Sequence, residues 1–213
     1  MAHCSCIMTC IKSLEASMKK KEEERKKQIM KAAFDAVSNL GYDNVTLQDI
    51  ADHADVSKGV VHYYFTSKQN ILLELLESTT NKIYSFEIKE IAKYEKAIEK
   101  LHAYINAVFV SPQDNKKFYR VYLDFLAQAN GNEAYKKINL KFYENCWGIG
   151  QEIIKLGQHE GVFCEEMDSL ESAKMVRAMI DGSLIQWLTN DLEEQHQYYK
   201  ATCLNSILKL LKT

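Results

Sequence analysis

An all-helical fold is predicted by three features of this 213-residue sequence. It contains only eight glycines and one proline, too few for the many tight turns that sheets need. Apolar residues recur at spacings of three and four, which is typical of amphipathic helices. Several of these periodic segments begin with residues that cap helices. With 46% hydrophobic residues, the chain can form a sizeable core in one or two domains.

The N-terminal region divides into an irregular leader and a basic segment. Residues 1–17 show no long periodic pattern, and we expect them to form a disordered leader. Residues 19–31 then hold seven basic and three acidic side chains, a local charge of +4, although the whole chain carries −2. A local field of this kind can attract phosphate groups. The alternative is that the run is only the solvated start of a helix.

The stretch from Val45 to Asn70 contains the signals for three successive helices. Thr46 is followed three residues later by Asp49, a variant of the capping box, so a helix should begin at about Leu47. The three predicted N-cap residues are Thr46, Ser57 and Thr66. Three helix starts within about twenty residues leave room for two short helices and the beginning of a longer one.

The two short helices of this stretch form a helix-turn-helix pattern. Ala51 is small where the helices cross, which allows a close approach. The apolar residues expected to form the shared core are Ile50, Ala51, Val56 and Val61, and Phe65 is also expected to be buried. The residues expected to face outward are Lys58, Gly59, Val60 and His62.

These motifs resemble the N-terminal domain of the TetR family of transcriptional regulators. The resemblance rests on T-L-Q-D-I-A, V-S-K-G and H-Y-Y-F-T-S-K, and it extends upstream through R-K-K-Q-I-M-K-A-A-F-D-A-V-S-N-L-G-Y. It covers roughly Glu24 to Lys82 and implies a TetR-like fold of about nine helices. One departure is Asp55, where family members usually carry glycine. Asp tolerates the left-handed conformation that such turns often need.

The resemblance implies that the helix-turn-helix binds the major groove of double-stranded DNA. Phosphate contacts position such a protein, whereas base contacts specify the sequence. The residues at phosphate-contacting positions are Thr46, Ser57, Tyr63, Tyr64 and Lys68. The residues on the base-reading face are Lys58, Gly59, Val60 and His62. An alternative for either tyrosine is that it only packs the helix pair.

Six further helices are predicted after the short pair. Their expected ranges are Lys68–Ala92, Tyr94–Val110, Lys116–Ala129, Glu133–Glu160, Ser169–Asn190 and Glu194–Leu211. Ser111-Pro112 and Gly131-Asn132 interrupt the pattern, and residues 161–167 are expected to form a loop. The expected domains are therefore a DNA-binding head at residues 18–82 and an effector-binding and dimerisation body at residues 83–213.

The last two helices carry the predicted dimer interface. Small residues four apart let a second helix approach closely, and an apolar stripe could complete a four-helix interface about a two-fold axis. The predicted interface residues are Ala178, Gly182, Leu204, Ile207, Leu208 and Leu211. M-I-D-G-S-L-I-Q-W-L resembles the C-terminal region of BetI-like TetR regulators. The alternative is packing within one subunit.

Aromatic and sulfur-containing side chains are frequent in the body and predict an apolar effector pocket. The predicted lining residues are Tyr104, Phe118, Tyr122, Phe125, Phe142, Cys146, Trp147, Met175 and Met179. Tyr104, Tyr122 or Gln151 could supply polar anchors. The effector would be small, hydrophobic or aromatic. The alternative for each residue is that it belongs to the ordinary core.

No motif favours catalysis, a cofactor or a metal. The chain lacks G-x-G-x-x-G, P-loop, H-E-x-x-H and G-x-S-x-G patterns. Cys4, Cys6 and Cys10 beside His3 lack a second ligand pair. Cys146, Cys164 and Cys203 are widely spaced, so we expect reduced thiols, with redox sensing as the alternative. Without a secretory signal or an apolar segment long enough to span a bilayer, we expect a cytoplasmic protein.

The sequence thus predicts a homodimeric bacterial repressor that binds a palindromic operator and is released by a small apolar effector. Such a dimer would place two recognition helices in successive major grooves. An alternative is a TetR-like protein without a small-molecule effector that acts through a protein partner. Another is a carrier of hydrophobic ligands with a vestigial head, against which the intact Lys58, Tyr63, Tyr64 and Lys68 argue.

Overall fold

The computed structural model describes residues 2–190 and 192–212, with side chains described from residue 17 onward. Within these ranges the chain forms nine α-helices and one 3-10 turn, Glu193–Gln195, and no β-strand. The helices are α1 Ala2–Leu40, α2 Leu47–His53, α3 Lys58–Tyr64, α4 Lys68–Ile91, α5 Ala97–Val108, α6 Pro112–Gln128, α7 Glu133–His159, α8 Ser169–Asn190 and α9 His196–Lys212. The predicted all-helical class is confirmed.

Two compact units make up the chain, Met1–Leu75 and Leu76–Thr213. The division falls inside α4, so this helix contributes residues to both units. The predicted boundary between residues 82 and 83 lies farther along the same helix.

The core of the first unit is made by α1, α2, α3 and the first turns of α4. Its members share an apolar side chain that is almost completely buried. They include Ile29, Ala33, Ile50, Ala51, Val61, Phe65, Ile71 and Leu72. Val56, the remaining predicted core residue, is only half-buried. The absence of a large side chain at Ala51 is consistent with a close crossing of α2 over its neighbours.

The helix starts of the first unit follow from local capping. The Thr46 hydroxyl accepts a hydrogen bond from the Asp49 amide, and the Asp49 carboxylate accepts one from the Thr46 amide, which completes a capping box for α2. Ser57 caps α3 through the Val60 amide. The prediction that Thr66 caps the next helix was wrong by one residue. The Ser67 hydroxyl accepts from the Asn70 amide at 3.1 Å, and α4 begins at Lys68.

The turn between α2 and α3 sets the direction in which α3 leaves. Asp55 has a φ of 51°. Its amide donates to the Asp52 carbonyl, and the Val56 amide donates to the Ala51 carbonyl at 3.0 Å. These two bonds form a Schellman motif, which ends a helix at a left-handed residue. The departure from glycine at position 55 therefore keeps the turn intact.

The second unit is a helical body built around α7 and α8. Its core contains residues of α5 to α9, among them Tyr104, Ile153, Ile180, Trp187 and Ile207. Gly157 lies in α7 where its neighbour is the ring of Phe163, which follows in the loop after α7. The predicted loop at residues 161–167 and the predicted bounds of α8 agree with the structure.

Three helix starts in the second unit differ from expectation. α6 begins at Pro112 rather than Lys116, because Ser111 caps it and a proline fits the first helical position. α5 begins at Ala97 rather than Tyr94. α9 begins at His196, after a 3-10 turn that was predicted as part of the helix.

The N-terminal segment also differs from expectation, because α1 already begins at Ala2. Residues 2–17 contain neither glycine nor proline, so nothing in their backbone chemistry ends the helix. Within residues 2–190 and 192–212, no helix is both long enough and apolar enough to cross a membrane.

Candidate DNA-binding surface and ligand cavity

The exposed surface of α3 carries the residues predicted to read bases. Lys58, Gly59 and His62 are exposed and Val60 is half-buried, whereas Val61 is completely buried in the core of the unit. α3 therefore presents a cation, a bare backbone position and an imidazole outward while one valine holds it in place. Such a surface can contact both base edges and phosphates in a major groove.

Thr46 and Ser57, predicted to contact phosphates, are both exposed and both cap helices. The Thr46 hydroxyl also donates to the Asp49 carboxylate at 2.6 Å. This side-chain bond, together with the backbone bond from Thr46, lowers the pKa of Asp49. The capping box thus holds a negative charge on the exposed side of α2.

Tyr63 and Tyr64 occupy different environments. Tyr63 is 77% exposed, so it does not pack the helix pair. Tyr64 is half-buried, which leaves both a packing and a contact role open to it. Their rings meet edge to face, with centroids 4.9 Å apart. The Tyr63 hydroxyl is consequently available to a partner outside the unit.

Lys68 is tied to the turn that follows α1. Its ammonium donates to the Asp43 carbonyl at 3.1 Å and lies 5.3 Å from the centroid of the Tyr42 ring. The side chain is half-buried. Lys68 therefore has a structural role in addition to the phosphate contact that the resemblance implies.

A cavity of about 200 Å³ lies in the second unit. Most of its wall is apolar, and three aromatic rings contribute to it. Its lining residues are Thr79, Lys82, Ile83, Glu87, Ala107, Val108, Val110, Asp114, Asn115, Phe118, Tyr119, Phe142 and Arg177. The size and the largely apolar wall with a few polar groups are typical of a site for a small ligand.

Only Phe118 and Phe142 of the nine predicted lining residues border this cavity. Tyr104, Tyr122 and Cys146 are buried in the surrounding core, and Met179 is half-buried there. Phe125 stacks on Tyr135, and Trp147 stacks on Tyr143. Met175 is 55% exposed, so its predicted place in a pocket was wrong. Helical periodicity identifies an interior face but does not distinguish a core contact from a cavity wall. Gln151, proposed as an anchor, donates to the Ser169 hydroxyl instead.

An ion pair on α8 borders the cavity and was missed from the sequence. Arg177 donates to Asp181 from Nε at 3.0 Å and from Nη2 at 2.8 Å, and only 3% of the Arg177 side chain is exposed. The Tyr119 hydroxyl also donates to Asp181 at 2.9 Å. The guanidinium lies 5.1 Å from the centroid of the Phe142 ring. Arg177 sits among apolar residues on the interior face of α8, and that spacing was the signal available in the sequence.

Glu87 is the second buried charged residue that sequence reasoning missed. It lies on α4, is 1% exposed and lines the cavity. Among the described residues, neither carboxyl oxygen has a hydrogen-bond partner. Burial raises the pKa of Glu87 to about 7, with Asp181 adding to the shift and Arg177 opposing it. Its carboxyl group is therefore close to half-protonated at neutral pH.

The predicted dimer residues fall into two groups. Ile207 and Leu211 are completely buried in the core of their own unit, so they cannot form an interface with a second chain. Leu204 and Leu208 are half-buried against the same core. Ala178 is exposed, and a Cβ at Gly182 would meet no atom within 4 Å. The small-residue face of α8 thus remains available, whereas half of the α9 stripe packs inward.

The cysteines of the described side chains are free thiols. Cys146 and Cys203 are buried, and burial raises the pKa of Cys146 to about 12. They are therefore thiols at neutral pH. Cys164 is half-buried. The side chains of His3, Cys4, Cys6 and Cys10 lie outside the described part of the structure.

Comparison with known proteins places both units. Residues 29–75 match the family model described as bacterial regulatory proteins of the tetR family. Residues 97–212 match the model described as the C-terminal part of BetI-type transcriptional repressors. The two matches agree with the resemblance found in the helix-turn-helix and in α8.

Individual relatives cover most of the chain. The HTH-type transcriptional regulator BetI of Agrobacterium fabrum is 27% identical over 165 residues, 78% of this chain and 77% of that protein. The fatty acid metabolism regulator protein of Bacillus subtilis is 28% identical over 194 residues, 90% and 96% of the two chains. These relatives are transcriptional regulators and not enzymes, in agreement with the expectation from the sequence.

A solved structure shows the same fold. A transcriptional regulator from Saccharomonospora viridis, crystallised in complex with choline, superposes with a TM-score of 0.80 and 26% identity. The superposition covers 88% of this chain and 96% of that one. With a helix-turn-helix head, a helical body and matches to both family models, this chain belongs to the TetR family of transcriptional regulators.

Proposed function

We propose that this protein is a homodimeric repressor that binds a palindromic operator through α3 and leaves it when a small, largely apolar effector occupies the cavity. The observation that carries the effector part is the cavity of about 200 Å³ among the helices of the second unit. A body packed without a cavity would favour the alternative, a regulator that acts only through a protein partner. The choline complex of the S. viridis regulator also supports a small-molecule site.

The DNA-binding part of the proposal rests on the exposed surface of α3. Lys58, Gly59 and His62 are exposed on one short helix whose opposite side is held by Val61. Two such helices, held about 34 to 36 Å apart in a dimer, would enter successive major grooves of one operator. Tyr63 and Lys68 would then contact phosphates and position the helix.

The coupling between effector and DNA is assigned to α4. Lys68 begins this helix, and Thr79, Lys82, Ile83 and Glu87 farther along it line the cavity. An effector that prefers one arrangement of these cavity residues would bias the conformation of α4. Release from DNA requires that the effector bind the two states with different affinities.

The decisive experiment begins with genomic DNA fragments selected by the purified protein. The bound sequence should be palindromic, and the neighbouring genes would indicate candidate effectors. DNA titrations with and without a bound candidate should then show weaker binding in its presence. Unchanged DNA affinity at saturating effector would contradict release.

Two lysine variants distinguish base reading from phosphate contact. Lys68→Ala should weaken binding to operator and to random DNA alike, and it should reduce the slope of log K against log salt by about one unit. Lys58→Ala should weaken operator binding more than random binding. Because Lys68 also bonds the Asp43 carbonyl, a thermal melt must accompany its titration. Equal loss on all sequences for both variants would contradict a base-reading role for Lys58.

A further inference from the structure

The cavity contains one buried carboxyl group whose partner is not supplied by the fold. Glu87 is 1% exposed, and neither oxygen has a hydrogen-bond partner among the described residues. A buried polar group without partners is costly, because it has lost its hydrogen bonds to water. Functional sites are where such groups are retained in folded proteins.

Arg177 does not neutralise Glu87, because its charge is already matched. Its Nε and Nη2 atoms donate to the two oxygens of Asp181 at 3.0 and 2.8 Å. The pair Arg177–Asp181 carries no net charge. Its two members act on Glu87 in opposite directions, since Arg177 favours the carboxylate and Asp181 disfavours it.

The remaining charged and titratable groups around Glu87 do not supply a counter-charge either. Tyr104 on α5 and Cys146 on α7 interact with Glu87, but burial raises the pKa of both, so they are neutral at neutral pH. Burial likewise raises the pKa of Tyr119 on α6. The two exposed lining residues, Lys82 and Asp114, carry opposite charges. A deprotonated Glu87 therefore leaves the cavity with one uncompensated negative charge.

We propose that Glu87 is the anionic anchor of this cavity and that its effector is a monocation with an apolar body, an alkylammonium. The inference rests on the proposed role of the cavity as the effector site. The ammonium group would face the Glu87 oxygens, and the apolar body would lie against the rings of Phe118, Tyr119 and Phe142, whose faces attract cations. An anionic ligand would instead place a second negative charge beside Glu87 and compete with Asp181 for Arg177.

Cation binding at this site displaces a proton from Glu87. Because the pKa of Glu87 is about 7, the carboxylate is the major form at pH 8 and the carboxylic acid is the major form at pH 6. Only the carboxylate form binds the cation well, so the apparent affinity scales with its fraction. The affinity should therefore fall about tenfold from pH 8 to pH 6.

Three probes with one carbon skeleton test the charge requirement. They are 3,3-dimethylbutylammonium, the neutral 3,3-dimethylbutan-1-ol and the anionic 3,3-dimethylbutanoate. Calorimetric titration of the full-length protein without DNA should show the ammonium binding at least tenfold more tightly than the alcohol at pH 8, with proton release near pH 6. The carboxylate should bind most weakly.

The matched variants are Glu87→Gln and Glu90→Gln. Both remove one carboxylate from α4, but Glu90 is paired with Lys93 at 2.6 Å and does not line the cavity. Glu87→Gln should remove the preference for the ammonium and its pH dependence, while Glu90→Gln should retain both. Thermal melts would confirm that both variants fold.

Equal affinity of ammonium and alcohol would overturn the proposal, as would ammonium binding that stays pH-dependent in Glu87→Gln. Failure of the ammonium to bind at millimolar concentration would also overturn it. A cation that binds as expected but leaves DNA affinity unchanged would instead contradict the proposed release mechanism. The two proposals can therefore fail separately.

Discussion

Asp55 shows how one residue can depart from a family pattern without disturbing the fold. Its φ of 51° lies in the left-handed region, where most residues with a Cβ are strained. Asp is among the few non-glycine residues that adopt this conformation readily. Since the backbone bonds of the Schellman motif are present, the turn is determined by backbone geometry and not by glycine itself.

Substitutions at position 55 should follow this conformational preference. Asp55→Ala should lower the free energy of unfolding by about 1 kcal/mol, because alanine has no polar side chain to ease the left-handed state. Asp55→Gly should leave it within about 0.5 kcal/mol, because relief in the turn is offset by greater freedom of the unfolded chain. Denaturant unfolding measures both. A loss in Asp55→Gly as large as that in Asp55→Ala would contradict this account.

Glu87 and Arg177 mark the limit of residue-level prediction. Each stands at an interior position of a helix, and a charged residue there is visible in the sequence as a break in apolar periodicity. Arg177 finds Asp181 one turn away on the same helix, a pairing that the spacing could have indicated. The isolation of Glu87 depends on which residues of other helices surround it, so no local pattern reveals it.

At the scale of single elements, helix starts were predictable wherever a cap acts within four residues. Thr46 and Ser57 cap α2 and α3 as predicted. The error at Thr66 arose because Ser67 offers an equivalent hydroxyl one residue later. At α6, Ser111-Pro112 was interpreted as a break, although serine followed by proline is also a favourable helix start.

The glycines of α7 provide a test of packing within one element. A Cβ at Gly157 would overlap the Phe163 ring, whereas a Cβ at Gly148 would meet no atom within 4 Å. Gly157→Ala should therefore destabilise the protein by roughly 1 to 3 kcal/mol. Gly148→Ala should stabilise it by up to about 1 kcal/mol, because alanine favours helix over glycine.

Thermal and denaturant unfolding of the two variants would check this contrast. They carry the same substitution in the same helix, so helix propensity is matched and only the surroundings differ. If Gly157→Ala were as stable as Gly148→Ala, the contact between α7 and the Phe163 ring would not constrain the fold.

At the scale of the whole molecule, the α9 stripe shows why an apolar pattern does not identify its partner. Ile207 and Leu211 fill the core of their own unit. The exposed apolar residues of α8 include Met175, at 55%, and Ile185, at 38%, with the open position Gly182 between them in sequence. If the protein dimerises as proposed, this face of α8 is the better candidate for the contact.

The dimer proposal predicts different outcomes for inward and outward residues. Ile185→Asp should yield a folded monomer in light scattering, with operator affinity reduced more than tenfold, because the two recognition helices are no longer held together. Ile207→Ala should instead lower stability by about 2 to 5 kcal/mol. Leu140→Asp, at another exposed apolar position, serves as the control and should remain dimeric. A dimeric Ile185→Asp would exclude this face.

The sequence alone determined the helical class, the capped helix-turn-helix with its outward Lys58 and His62, and the bounds of α8, because hydrogen bonds and side-chain periodicity over a few residues decide these features. Only the tertiary structure decided which aromatic residues border the cavity, which way Ile207 points and that Glu87 has no partner. These depend on helices far apart in the chain, whose packing leaves a gap in one place and fills it in another. The cavity of this regulator is therefore defined by contacts that no single segment encodes.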